Sequence, residues 1–344
     1  MNSQVNTAIL GASGYTGEEL VKICARHSGM KLTVVTSRQW KGKTLEETLA
    51  IRGPVGGLRF EDLSAKEVAS KAEVFFLALP HGVAAAVGGE LRALGKKVFD
   101  LSADFRLKDA AVYEKTYGVV HPVPARLGEA VYGLPEIYRE AIEKADLVAC
   151  PGCYPTTAIL GLAPVLKAGW VVEGGTVISA MSGVSGAGKK VEGAYLYGEC
   201  NENLRAYSVP QHRHRPEIEQ ELSLLAGSAV RVTFVPHLAP LHRGMLTTIS
   251  FPLKKGISRD QLEKEYRKFY EGAVAVRVLS GDDLPETKRV AGRQGMEMAV
   301  RVDEWTGRGL VIGAIDNLGK GAAGQAVHCF NLRHGLAEGE GLEW

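Results

Sequence analysis

Residues 5–26 constrain the fold more than any other stretch of the chain. Val5 to Leu10 is an apolar strand and Gly11-Ala12-Ser13-Gly14-Tyr15-Thr16-Gly17 follows at once. Thr16 to Arg26 then predicts a helix with Leu20, Val21 and Ile23 on its inner face. A strand that runs through a glycine turn straight into a helix opens a dinucleotide-binding sheet, because glycines let a pyrophosphate reach the backbone at the helix N-terminus. The spacing is G-x-x-G-x-x-G, which a plain tight turn would also satisfy. Its place at the first strand-to-helix turn favours the nucleotide reading. The cofactor contacts this predicts are Gly11, Ser13, Gly14, Tyr15, Thr16 and Gly17.

The second strand, Lys31 to Thr36, decides which dinucleotide. NAD sites place an acid about 20 residues past the glycines to hold the ribose 2′-hydroxyl. Here Ser37 and Arg38 stand in that place, with Lys41 and Lys43 close by. A hydroxyl and a guanidinium suit a 2′-phosphate, and the stretch itself holds no carboxylate to repel one, so NADP(H) is the expected cofactor. For the two lysines a solvated basic loop is an equal reading. A buried parallel strand at 73–79 leads into Pro80-His81-Gly82, at the carboxyl end where open α/β sheets bind ligands. Pro80 joins the cofactor set, and His81 is either a cofactor contact or a loop histidine without a role. Another strand, 97–101, leads into Ser102-Ala103-Asp104-Phe105-Arg106. Ser102 and Arg106 are candidate substrate contacts, Arg106 as an anion clamp.

Chemistry centres on Cys150-Pro151-Gly152-Cys153-Tyr154-Pro155-Thr156-Thr157. A short buried strand precedes it, and a helix follows that a terminal glycine, Gly169, closes. Pro155 suits the first helical turn, since its missing amide proton would have no partner there. Cys153 is therefore expected just ahead of a helix N-terminus, where unpaired N–H groups and the helix dipole favour a thiolate. An arbitrary cysteine is more often a buried structural one; strand, Pro-Gly turn and Pro-started helix reverse that preference. The Cys150–Cys153 spacing lacks the surroundings of a redox dithiol, and no second pair completes a zinc site.

Past Gly169 the helical crossovers give way to alternating segments at 176–180, 230–235, 245–253, 274–278, 296–302 and 310–315, with helices at 216–225 and 258–270. These predict an antiparallel or mixed sheet carrying helices. Gly183 and Lys189 fall in a glycine-rich loop, 183–190, rich in backbone donors and ending in cations, and Ser182 stands just before it. His212-Arg213-His214 precedes Glu217, and Pro236-His237-Leu238 precedes His242-Arg243. The arginines and the lack of further ligands argue against a metal, and acid–base work beside a thiolate is the stronger reading. Asp316-Asn317-Leu318-Gly319-Lys320-Gly321 is a strand-to-helix turn, followed by a small-residue helix at 322–332.

A chain of 344 residues suggests two domains. A formal net charge of +2 is too balanced to suggest a nucleic-acid surface, and no apolar run approaches the roughly 20 residues that span a bilayer. Met1 to Val5 lacks the layout of a signal peptide, and five cysteines without a small secreted framework point to a reducing cytoplasm.

With these residues in view the chain resembles the N-acetyl-gamma-glutamyl-phosphate reductases, a family of the aspartate-semialdehyde dehydrogenase superfamily. The resemblance runs through Gly11–Gly17, Thr36–Arg38, Leu79–Gly82, Asp100–Arg106, Pro151–Thr156, Ser182–Lys189, His212–Glu217, Pro236–Leu238 and Ala314–Ala326. It implies a Rossmann-type NADP-binding domain over 1–152, completed by the C-terminal helix 319–344. A catalytic and oligomerisation α+β domain on a mostly antiparallel sheet is implied over 153–318. It implies Cys153 as nucleophile, NADPH as hydride donor, His212 as the acid–base histidine with Glu217 orienting it, and Asn317 beside the nicotinamide. Arg106, Lys189 and Arg213 would meet the phosphate and carboxylate of the substrate. The implied reaction is reduction of N-acetylglutamyl phosphate to the semialdehyde through a Cys153 thioester, in arginine biosynthesis, by a cytoplasmic homodimer or homotetramer. The alternative is the same chemistry on carrier-bound aminoadipyl phosphate in lysine biosynthesis. Arg293-Gln294-Gly295 departs from the expected serine or threonine followed by asparagine.

Overall fold

The structure is a computed structural model that describes residues 4–189 and 191–344. The start of the chain, Met1 to Ser3, and Lys190 of the glycine-rich loop lie outside the described residues. The chain divides into two compact units, residues 1–151 with 322–343, and residues 152–321 with Trp344.

The first unit is built on seven parallel strands. They are β1 (Val5–Leu10), β2 (Met30–Thr36), β3 (Phe60–Glu61), β4 (Val74–Leu77), β5 (Lys97–Asp100), β6 (Val131–Tyr132) and β7 (Leu147–Ala149), in the order β3-β2-β1-β4-β5-β7-β6. The helices between them are α1 (Tyr15–Arg26), α2 (Leu45–Leu49), α3 (Ala65–Ala69), α4 (Val83–Ala93), α5 (Ala110–Tyr117) and α6 (Pro135–Ile142). Each residue of β4, Val-Phe-Phe-Leu, is fully buried, as a strand covered on both faces by crossover helices must be. Short helices need strong ends. Thr44 with Glu47 and Ser64 with Glu67 form reciprocal capping boxes on α2 and α3. Strand order reverses between β1 and β4, and the turns leaving these two strands carry Gly11 and Pro80. They nearly touch: a Cβ on Gly11, at φ +84°, would fall 2.3 Å from the carbonyl oxygen of Ala78.

The second unit holds α7 (Cys153–Lys167), α8 (Tyr197–Cys200), α9 (Arg215–Ala226), α10 (Arg259–Phe269) and α11 (Thr287–Val290). Its strands are β8 (Thr176–Gly183), β9 (Arg205–Ala206), β10 (Val232–Ala239), β11 (Met245–Pro252), β12 (Val276–Val278), β13 (Met296–Asp303) and β14 (Arg308–Ile315). Their order is β12-β13-β14-β11-β8-β10-β9. The β8–β10 and β12–β13 pairs are parallel and the rest antiparallel, so the sheet is mixed. Burial alternates along β8 and β11, with Ile178, Ala180, Ile249 and Phe251 in the core. The opposite face carries half-exposed or exposed Val177, Met181, Val235, Leu246, Leu310 and Ile312. The α7 helix is apolar all round and 12 of its 15 residues are buried. It continues through Pro164, which lacks the amide that would meet the carbonyl of Leu160. Tyr270 donates its hydroxyl to that carbonyl, and Tyr266 donates to the next one, Gly161, at 2.5 Å.

The chain then returns to the first unit as α12 (Gly324–Arg333), which lies against α1 and α6. Its Phe330 ring sits 6.0 Å from Phe76 of β4 and 6.1 Å from Phe99 of β5.

Candidate active site

Cys153 is the first residue of α7, not the one ahead of it: Gly152 is the N-cap and Pro155 the third helical residue. The proline's missing donor still falls among the four amides that a helix start leaves unpaired. Helix-start amides and dipole thus surround the Cys153 position, which is half-buried. The turn beneath it is fixed by Glu217, 1% exposed, whose Oε1 accepts from the Gly152 amide at 2.9 Å. Glu217 therefore anchors the backbone that carries the sulfur, a role its spacing from His212 does not announce. On another side Gly321 comes so close that a Cβ there would lie 2.8 Å from Cys153 Cβ. Gly321 stands in a π-turn, Gly319–Ala323, and its amide bonds back to Asp316 O at 2.9 Å. The neighbouring Lys320 is fully buried. Cys150, by contrast, belongs to the first unit, where burial first, and then Cys329 and Asp100, push its thiol well up. All five cysteines are thiols. Within the C-x-x-C pair, only Cys153 has the exposure and the helix start that reactivity needs.

His212 lies in an aromatic enclosure. Tyr154 (5.5 Å between ring centroids), Tyr207 (5.4 Å), Phe234 (5.3 Å) and His214 (4.9 Å) all meet it edge-on. Its Nδ1 accepts from the backbone amide of His214 at 3.0 Å. Burial, and then the charge of exposed Arg213, lower its pKa to about 4. Tyr207 donates its hydroxyl to that of Tyr154 at 3.1 Å, and Tyr154 donates to the carbonyl of His237 at 3.1 Å. Burial raises both phenols, Tyr207 to about 12, and the charge of Cys153 adds to the effect on each. Two of the rings that enclose His212, Tyr154 and Tyr207, thus sense the sulfur. His237 of the second histidine cluster lies within β10 and contributes its carbonyl.

Asn317, 3% exposed, joins two loops: its Nδ2 donates to Ser185 Oγ at 2.9 Å and its Oδ1 accepts from the Gly244 amide at 2.7 Å. Ser182 donates its hydroxyl to the Gly183 carbonyl at 3.2 Å, and the Gly183 amide donates to Gly244 O at 2.9 Å. Fully buried Asp316 pairs with Arg243 at 2.5 Å and accepts from the amides of Gly292, Leu318 and Gly319. The departing triplet buttresses this turn, since a Cβ on Gly319 would fall 2.3 Å from Arg293 O and 2.8 Å from Gln294 Oε1. Lys189 and Arg213 are exposed.

In the first unit, Gly14 caps α1 with no side-chain hydrogen bond, leaving the helix-start amides for a ligand. A Cβ on Gly14 would meet only Gly11 O, at 3.8 Å, whereas one on Gly17 would fall 2.4 Å from that same oxygen. The cradle is open where a pyrophosphate would lie and closed where helix meets strand, so these residues fit a dinucleotide. Ser37 donates to Ser13 Oγ at 2.9 Å, beside Tyr15 and Thr16 at the start of α1. Arg38 is 92% exposed, and here the expectation that no carboxylate is near needs correction: pairing of β2 with β3 brings Asp62 Oδ1 to 3.7 Å from its Nε. Pro80 is exposed, and His81 Nδ1 accepts from the Ala103 amide at 3.1 Å. Ser102, 3% exposed, donates to Asp100 at 2.8 Å and accepts from the Asp104 amide at 3.0 Å, so its side chain shapes the loop instead of facing solvent. Arg106 is 6% exposed and donates to Cys150 O at 2.7 Å and Leu101 O at 2.9 Å.

Tyr154, Tyr207, Ser185 and Arg243 escaped the sequence reading as site residues. Tyr154 could have been found as the neighbour of Cys153. Tyr207 arrives from an irregular stretch with no period to mark it.

Residues 6–145 match the family described as semialdehyde dehydrogenase, NAD binding domain, and residues 153–317 match the semialdehyde dehydrogenase, dimerisation domain. An N-acetyl-gamma-glutamyl-phosphate reductase of Moorella thermoacetica is 47% identical over 98% of both chains. One of Akkermansia muciniphila is 46% identical over 98% of this chain and 99% of its own. The fold is also that of aspartate semialdehyde dehydrogenase II of Vibrio cholerae, with a TM-score of 0.73 at 19% identity over 96% of this chain and 98% of that one. The Candida albicans enzyme with NADP has a TM-score of 0.72 at 15% identity, over 96% of this chain and 98% of that one.

Proposed function

Starting from the fact that this chain belongs to the semialdehyde dehydrogenase family, we propose that it reduces N-acetylglutamyl 5-phosphate to the 5-semialdehyde with release of phosphate, using Cys153 as nucleophile. The observation that carries the reading is a half-buried cysteine opening α7 on a turn anchored by a buried glutamate. The helix start favours negative charge on Sγ, which attacks the acyl carbon and holds the acyl group as a thioester. His212 is assigned the acid–base work, Glu217 holds the Gly152–Cys153 backbone, and Gly321 leaves room for the Cys153 side chain. Arg106, Lys189 and Arg213 are assigned to the anionic groups of the substrate. A nicotinamide cofactor, held through Gly11, Ser13, Gly14, Tyr15, Thr16, Gly17, Pro80, Ser182, Gly183 and Asn317, supplies the hydride. NADP(H) is the proposed form, with Ser37 and Arg38 on the 2′-phosphate. Eight relatives at 44–47% identity all carry the acetylglutamyl name, so the carrier-bound substrate is not favoured.

The half-exposed apolar face of the second sheet supports self-association, as a homodimer or homotetramer. Among the described residues no helix is long and apolar enough to cross a membrane. Five thiols suit the cytoplasm as the proposed location. Cys153→Ser is expected to abolish reduction while leaving NADPH binding, read by fluorescence titration, unchanged. Retained turnover would refute the nucleophile.

A further inference from the structure

We propose that Asp104 is a positioning residue for the nicotinamide half of the cofactor, acting through the Pro80-His81-Gly82 loop that its carboxylate ties down. This rests on the nicotinamide-cofactor reading above and deepens it by naming what holds one wall of the crevice still.

The anchor comes from the neighbouring strand. Asp104 follows β5 and has no exposed surface. The Gly82 amide donates to both of its oxygens, Oδ2 at 2.8 Å and Oδ1 at 3.0 Å. Oδ2 also accepts from the Ala85 amide at 2.8 Å, and Oδ1 from the Tyr113 hydroxyl at 2.7 Å. Gly82 is the N-cap of α4 and has no side chain to serve the amides that a helix start leaves open. Asp104 supplies that capping oxygen from another loop, as a negative charge at the positive end of the α4 dipole. In return His81 Nδ1 accepts from the Ala103 amide at 3.1 Å, so the exits of β4 and β5 are tied in both directions. Asp104 is itself held by its backbone: its amide donates to Ser102 Oγ at 3.0 Å, and its carbonyl accepts from His121 Nε2 at 2.8 Å.

Strand order shows what this loop borders. β2 and β4 flank β1 on opposite sides. The exit of β2 carries Ser37 and Arg38, assigned to the 2′-phosphate of the adenosine half, and the exit of β1 carries the glycine cradle for the pyrophosphate. A dinucleotide laid across the switch point therefore runs on toward the exit of β4, which the close approach of Gly11 to Ala78 O places beside the cradle. The wall it meets there is Pro80-His81-Gly82. The outer side of that wall is open, since Pro80 is exposed and a Cβ on Gly82 would meet nothing within 4 Å. Its position is set from beneath, by the Asp104 carboxylate and the Ala103 amide. Gly82 reaches the carboxylate at φ +81°, a left-handed conformation that a side chain would strain.

Isothermal titration calorimetry of the full chain tests this, with NADPH as the whole cofactor and 2′,5′-ADP as its adenosine half alone. Asp104→Ala strips the charged acceptor from two helix-start amides, and should weaken NADPH about tenfold while leaving 2′,5′-ADP within about twofold of the parent. Asp104→Asn still presents one oxygen to both amides while its NH2 group meets the Tyr113 hydroxyl, so it should recover most of the lost affinity. Gly82→Ala strains the same cap from its open side and carries the test should Asp104→Ala not fold. It should weaken NADPH about threefold to tenfold with the same contrast between the two ligands. Parent-like NADPH binding in Asp104→Ala and Gly82→Ala, an equal loss of both ligands, or an Asp104→Asn no better than Asp104→Ala would overturn the proposal. A parent protein that binds neither ligand would overturn the cofactor reading and this proposal together, so the two failures are told apart.

Discussion

Asp100 ends β5 with no exposed surface, next to Asp104, Ser102 and Arg106. Burial first, and then the neighbouring Asp104, push its carboxyl up to about 7. In the unfolded chain the same group ionises near 4. Between those values the unfolded state binds fewer protons, so stability contributed here falls as pH rises from about 4 through 7 and is flat above. Asp100→Asn removes that slope. Its melting temperature should gain on the parent from pH 5 to about 7 and level off above that in calorimetry, and a constant difference across the range would contradict the assignment. Cys153 was legible in sequence because strand, turn and helix start all lie within a few residues of it. Tyr207 and Asp62 were not legible. Each acts on a residue of another element, His212 or Arg38, through a strand pairing that no local pattern encodes.

The α7 helix shows the same limit one level up. Its extent could be read from its apolar run and closing glycine, but its tolerance of Pro164 could not. That depends on the end of α10, where its C-cap Tyr270 serves the carbonyl of Leu160 that the proline leaves without a donor. Tyr270→Phe keeps the ring and strands a buried acceptor, at a cost of about 1–3 kcal/mol, visible as a lower denaturation midpoint with an unchanged m-value. An unaltered midpoint would mean the carbonyl finds another donor. Pro236 is a second case. Treated as part of a histidine cluster, it lies inside β10. On the β9 side the ladder uses only its carbonyl, which accepts from Tyr207 N, so a residue without an amide proton can stand there.

At the scale of the molecule, the parallel sheet was legible because each βα step is local and right-handed crossovers allow few orders. The second sheet was legible only as a set of strands. Its order places β8 between β11 and β10, a result of long-range pairing. The outer row Val235, Ser179, Thr248 and Ile312 crosses four of its strands in register. Thr248 is exposed in the single chain, so Thr248→Arg should leave the fold intact and shift the sedimentation coefficient from oligomer toward monomer. A parent protein that sediments as a monomer would remove this face as an interface. The first unit is also closed by α12, whose Phe330 completes the ring cluster with Phe76 and Phe99. During translation residues 5–151 emerge early but wait for that ring while all of 152–321 is made, on the order of ten seconds at ribosomal speed. A nascent chain halted in that interval carries an apolar seam with nothing laid over it, a target for chaperones that the finished polypeptide no longer offers.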